Sequence, residues 1–138
     1  MLAGGLILFF VSKDRGVGDA GAMMRIGQSP PITIEIADTE SARVEGLSGR
    51  SALSENAGML FVFDVADYHT FWMKDMQFPI DIIWIRDGLV VGVSENLMPE
   101  GPNPTAIYAP PKPVDSVLEV FAGFVEEHGI RAGDAVTF

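Results

Sequence analysis

The sequence predicts a mainly β fold, a compact barrel-like or sandwich domain with one or two short helices. Three observations predict it. Short runs dense in β-branched and aromatic residues recur along the chain, such as ITIEIA (32–37), GMLFVF (58–63) and PIDIIWI (79–85), and residues of those types suit a pleated, half-buried surface. Turn-forming residues punctuate the runs, and Asp87-Gly88 between PIDIIWI and LVVGVSENL (89–97) is the clearest hairpin signal. Helical spacing of apolar residues is confined to two brief stretches. A chain of 138 residues holds one such core and not two.

The first 28 residues differ in kind from the rest. LAGGLILFFV (2–11) is an apolar run with the length of a signal-peptide core, too short to span a bilayer alone. Ala20-Gly21-Ala22 matches a small-x-small cleavage site. No Lys or Arg precedes the run, and Lys13 and Arg15 follow it, which by the positive-inside rule weighs toward a cytoplasmic downstream side. Gly16 to Pro31 is rich in Gly, Ala, Ser and Pro and reads as a linker. The expectation is a hydrophobic N-terminal signal or anchor segment plus linker over 1–28 and a single globular domain over 29–138. The domain would then be periplasmic, or tethered to the membrane and facing outside the cytoplasm. The alternative is an apolar segment that docks on its own domain.

ITIEIA alternates apolar and polar residues, the period of a half-buried strand. Asp38 or Thr39 is placed to cap a helix whose first turn carries Glu40, with Ala42, Val44 and Leu47 near helical spacing before Gly49 stops it. GMLFVF is continuously apolar, as a strand buried on both faces would be. HTFWM (69–73) reads as a further strand, with His69, Phe71 and Met73 on one face and Thr70 and Trp72 on the other. MPEGPNPTAIYAPPKPVD (98–115) holds six prolines in eighteen residues, which leaves too few backbone donors for anything but a surface loop. SVLEVFAG (116–123) returns to strand, FVEEHG (124–129) is a short helix ended by Gly129, and GDAVTF (133–138) is a last strand.

The net charge is −10, and from Ser29 to Phe138 six Lys and Arg face seventeen Asp and Glu. Such a surface repels phosphate backbones, so nucleic acid is not an expected partner. Cysteine is absent, which excludes thiol catalysis, disulfides and thiolate metal sites.

Six stretches in register carry a family likeness: GLSGRSAL (46–53), GMLFVF, FWMKDM (71–76), PIDIIWI, VLEVFAG (117–123) and Gly133-Asp134. Together they resemble the domain of unknown function 192 family over about residues 32–138. The resemblance implies a compact β-rich domain, often placed behind a signal peptide or membrane anchor, and no established activity. Two positions depart from the family pattern. Ser48 stands where a Met is usual, and Asp75-Met76 where an Asn-Thr pair is usual.

Asp81 is the most informative charged residue. Period 2 puts Ile80, Ile82 and Trp84 on one face and leaves Asp81 with Ile83 and Ile85 on the other, where a lone carboxylate is costly unless paired. Arg50 and Arg43 are the natural partners and Lys74 a third, and a bidentate Arg–Asp pair that orients this segment is the expected structural role. The functional reading built on it is a non-catalytic ligand- or partner-binding module, its cleft walled by Trp72 and Tyr108 and floored by Arg50 and Asp81. The ligand would be an unidentified small molecule, a glycan or a peptide, with no cofactor and no metal required. The plainer alternative for Phe71, Trp72 and Met73 is core packing.

Two other classes compete. A hydrolase-type enzyme would use a His69–Asp dyad with Ser48, Ser51 or Thr70 as nucleophile, although none of these sits in a Gly-x-Ser-x-Gly motif. A soft-metal site for copper would use His69, Met73 and Met76, set against the common use of Met as a gap-filler. His128, before Gly129, suits the C-terminal end of a helix. The proline-rich loop either presents rigid edges to a partner or covers the domain, pinned by Tyr108.

Overall fold

The computed structural model describes residues 21–138; the apolar run, with its expected signal or anchor role, lies outside them. Seven strands and two helices form among these residues: β1 (Ala22–Ile26), β2 (Ile32–Ala37), α1 (Glu40–Glu45), β3 (Ala57–Asp67), β4 (Ile80–Arg86), β5 (Leu89–Leu97), β6 (Val114–Phe121), α2 (Phe124–His128) and β7 (Val136–Thr137). The strands make one curled sheet in the order β5-β4-β6-β3-β2-β1-β7, a half-barrel. At one end its two edges meet. Val90 N–H donates to the Asp134 carbonyl (2.9 Å), Gly133 N–H to Val90 (2.8 Å) and Val136 N–H to Gly88 (2.9 Å). The mainly β, barrel-like domain with short helices is therefore the fold that forms.

Strand parity divides the apolar residues into two cores. Met24, Ile34, Leu60, Ile83 and Leu118 fill the concave interior, which Phe124 and Val125 of α2 close. Phe61, Ile80, Ile82, Trp84 and Val117 face outward, where Ala42, Leu47 and Met73 cover them. The alternation expected in PIDIIWI holds: Ile80, Ile82 and Trp84 lie in the outer core, Ile83 and Ile85 in the inner. The hairpin expected at Asp87-Gly88 also forms. Arg86 pairs with Leu89 across two residues at φ 50° and 74°, the left-handed pair that a tight hairpin turn needs.

Three expectations give way. Residues 22–26, read as linker, form β1, which pairs with β2 and β7; Met24 and Ile26 are buried in alternation, a pattern hidden among Gly, Ser and Pro. The domain therefore starts before Ser29. HTFWM is no strand, because it crosses the outer face of the sheet rather than joining it. Its backbone is held by isolated bridges, Phe71 to Tyr108 and Lys74 to Glu100. The first helix ends at Gly46 rather than Gly49, with Thr39 Oγ1 accepting from Ala42 N–H at its start.

Candidate functional site

The outer face holds the site because two connections must cross it. β2 and β3 run parallel and adjacent, so the chain between them has to travel back along the sheet, and it lays α1 and the turn at 46–50 over β3. The connection from β3 to β4, residues 68–79, crosses the same face. Ser48 Oγ donates to the Lys74 carbonyl (2.8 Å) and Gly49 N–H to Asp75 (2.9 Å), which ties the two excursions together at one end. Between them lies a half-open cleft of about 270 Å³. Phe61 and Glu119 are its floor, Arg43, Val44, Leu47 and Ser48 one wall, and Thr70, Phe71, Trp72 and Met76 the other. Ser48 and Met76, two of the positions where the chain leaves the family pattern, both line it.

Its aromatic wall is preorganised. Phe71 meets Phe61, Phe63 and Trp84 edge to face at centroid distances of 5.0, 6.4 and 5.7 Å, the geometry that aromatic quadrupoles favour. Trp72, on the same wall, is 49% exposed. Cations already sit over two of these rings: Arg43 over Phe63 at 5.2 Å and Lys74 over Trp72 at 5.4 Å. The Arg43 guanidinium also donates to the Val62 carbonyl at 2.9 Å.

Glu119 is the chemical centre of the cleft. It lies in the middle of β6, opposite Met59 on β3 and Ile82 on β4, and is only 5% exposed. No hydrogen bond from the described residues reaches its carboxyl, and burial pushes its pKa up to about 8. At neutral pH it is a protonated acid, able to donate one hydrogen bond and to accept others. The sequence reading overlooked it. The signal was available, since VLEVF carries a lone carboxylate in an apolar strand just as PIDIIWI does.

Asp81 serves a different purpose from the one its sequence context suggested. It lies on the interior face, 0% exposed. Its Oδ1 accepts from Asn96 N–H (2.9 Å), and its Oδ2 accepts from Gly123 and Val125 N–H (3.0 Å each). It therefore caps α2 from a strand 42 residues away, with Gly123 at φ 100° turning its N–H toward the carboxylate. No arginine is involved. Arg50 instead makes a bidentate pair with Glu35, at 2.8 and 2.7 Å, and both side chains are 34% exposed. The Arg50 hydrogen bonds hold the Glu35 carboxyl below its ordinary range. Tyr108 is half-buried and exchanges two backbone hydrogen bonds with Phe71, so it stands behind the wall rather than in it. Of the four residues expected to contact a ligand, Trp72 lines the cleft, and Arg50, Asp81 and Tyr108 are held elsewhere. Replacing Arg50 with Ala is accordingly expected to cost under about 1 kcal/mol in urea unfolding, as screened surface pairs do, and to leave ligand binding unchanged.

His69 stacks on Phe63 at 3.6 Å with ring planes 10° apart, and its Nε2 is 2.9 Å from the Val65 carbonyl. Its polar contact is thus a backbone oxygen rather than an aspartate. Met73 is sealed in the outer core at 0% exposure while Met76 faces the cleft, so the His69, Met73 and Met76 set is divided among three environments. Among the described residues no group of three or more His, Asp or Glu side chains is placed to hold a metal ion. His128 stands at the end of α2, edge-on to Phe124 at 4.5 Å.

Comparison with known proteins adds kinship. The DUF192 family, described as Uncharacterized ACR, matches residues 22–138. A crystal structure of a protein of unknown function from Novosphingobium aromaticivorans superposes with a TM-score of 0.76 at 30% identity, over 85% of this chain and 84% of that one. A structure from Sinorhizobium meliloti, provisionally described as a transcription regulator, gives a TM-score of 0.76 at 31% identity, over 86% and 96%. No curated protein sequence matches.

Proposed function

The chain belongs to the DUF192 family, and from its own geometry we propose a non-catalytic module that binds a small ligand in the cleft between α1 and the 68–79 connection. One observation carries this reading: Glu119 is nine-tenths buried, unpartnered among the described residues, and opens into the cleft. Burial disfavours the ionised form of this carboxyl, and a ligand supplying a polar partner offsets that cost. Trp72 offers an exposed flat face beside it, suited to a small molecule, a sugar ring or a peptide side chain. Catalysis is not part of the proposal. The Ser48 hydroxyl donates to a backbone carbonyl and His69 is engaged by another, so neither is poised as nucleophile or base.

The Sinorhizobium description suggests nucleic acid, but the charge of this chain opposes it, with seventeen carboxylates against six cations over Ser29–Phe138. We place the module outside the cytoplasm, periplasmic or membrane-tethered, on the strength of the apolar run at 2–11. Among the described residues no helix is long and apolar enough to cross a membrane.

Fluorescence of Trp72→Ala tests the proposal. Trp84 is buried and stays as an internal reference. Screening the full chain with small amines, alcohols, sugars and short peptides is expected to find an emission change that the variant loses. Its melting temperature should move by no more than about 2 °C, as for a surface substitution. A fall beyond about 8 °C would return Trp72 to the core and sink the reading.

A further inference from the structure

We infer that the cleft takes a primary ammonium group on an apolar body, the ammonium donating to the ionised carboxylate of Glu119 while the body lies against Trp72 and Phe71. The inference rests on the cleft being a binding site, as proposed above.

Charge selects the ligand class. The charged groups facing the cleft are Glu40, Arg43 and Glu45 from α1 and Glu119 from β6. β3 and the 68–79 connection line it with Phe61, Phe63, Thr70, Phe71, Trp72 and Met76, none of them charged. An anion would meet three carboxyls and one guanidinium already committed to Val62 and the Phe63 face. A neutral alcohol can donate to one oxygen of the protonated acid and accept from the other, but it brings no charge. An ammonium brings three N–H donors and a charge, and charge-assisted hydrogen bonds are roughly twice as strong as neutral ones. Arg43 and Lys74 already lie over the Phe63 and Trp72 rings, at 5.2 and 5.4 Å from their centroids, so the wall receives the apolar body while the ammonium stays at Glu119. A quaternary ammonium would lack the N–H groups that a buried carboxylate requires.

The proton balance is explicit. Glu119 is a neutral acid in the empty cleft at pH 7. The ligand arrives as an ammonium and remains one, so the Glu119 O–H bond breaks and its proton leaves to solvent as the ion pair forms. Binding should therefore release close to one proton per ligand.

The probes are n-butylammonium, butan-1-ol and butyrate, titrated calorimetrically into the full chain at pH 7 in two buffers of different ionisation enthalpy. Butylammonium is expected to bind at least about tenfold more tightly than butanol, with butyrate weakest. Proton release should accompany butylammonium alone. In Glu119→Gln the release should vanish and the preference for butylammonium over butanol should collapse. Butanol binding as tightly as butylammonium, butylammonium binding without proton release, or an unchanged preference in the variant would each overturn the ammonium inference and leave the binding cleft standing. Failure of all three probes to bind or to alter Trp72 emission would overturn both.

Discussion

Replacing Asp81 with Ala is expected to lower the unfolding free energy of the domain by about 3–5 kcal/mol, a large part of what a domain of this size possesses. Its carboxylate accepts from three backbone N–H groups that secondary structure does not otherwise satisfy. The Val125 N–H is sealed, so its loss bears the full desolvation cost of about 1–3 kcal/mol. The Asn96 and Gly123 groups are only partly buried, and water recovers some of theirs. The spread of the three donors matters as much as their number. Two belong to the start of α2 and one to the far end of β5, so this side chain fixes the helix to the sheet whose interior it closes. Asp81→Asn keeps the shape but turns an NH2 toward one set of donors, and an intermediate loss follows. Urea unfolding checks both values. Amide exchange should show α2 opening first in either variant. A loss below about 1 kcal/mol for Asp81→Ala would mean that α2 is held by its apolar face alone.

The contrast between Asp81 and Glu119 shows how far the sequence could be read. Strand parity was legible: the alternation in PIDIIWI placed Asp81 on the face opposite Trp84, and there it lies. Asp87-Gly88 announced its hairpin because two adjacent left-handed residues are a local demand. What a strand faces is not local. Nothing in PIDIIWI says that its polar face meets the N-terminus of a helix 42 residues on, so the sequence alone points to an arginine as partner. VLEVF carried the same lone-carboxylate signal as PIDIIWI, but the two acids sit on opposite faces of adjacent strands, and only the tertiary fold shows that one is saturated with donors and the other has none. HTFWM failed as a strand for a related reason. Its alternation is real, with Met73 inward and Trp72 outward, but a strand needs a neighbour along its length, and this segment crosses the sheet. The cleft owes its existence to that crossing and to the parallel β2–β3 pair. Both are topological facts that composition does not carry.

The second large effect is a loss of stability as pH rises, caused by Glu119. Its carboxyl titrates near pH 8 in the fold and near its ordinary 4.5 when exposed. Between those values the folded chain holds a proton that the unfolded chain has released, so stability falls with pH across that window. The contribution is fully present below about pH 4.5 and gone above about pH 8, and a shift of this size is worth about 5 kcal/mol. Glu35 works with the opposite sign. Arg50 holds its pKa down, so that smaller contribution is present above pH 4.5 and lost in acid. As pH rises above 4.5 the Glu35 contribution is retained while that of Glu119 is lost, so mildly alkaline conditions weaken the empty domain. Chemical denaturation at pH 5, 7 and 8.5 is expected to show a fall of several kcal/mol for the native chain and a nearly flat profile for Glu119→Gln, which should be the more stable protein at pH 8.5. A native profile that stays flat or rises would mean that the carboxylate reaches water through the open side of the cleft. The same experiment bears on function. An ammonium that pairs with the ionised acid removes the alkaline penalty, so n-butylammonium should stabilise the native chain more at pH 8.5 than at pH 5 and should not distinguish the two conditions in the Gln variant.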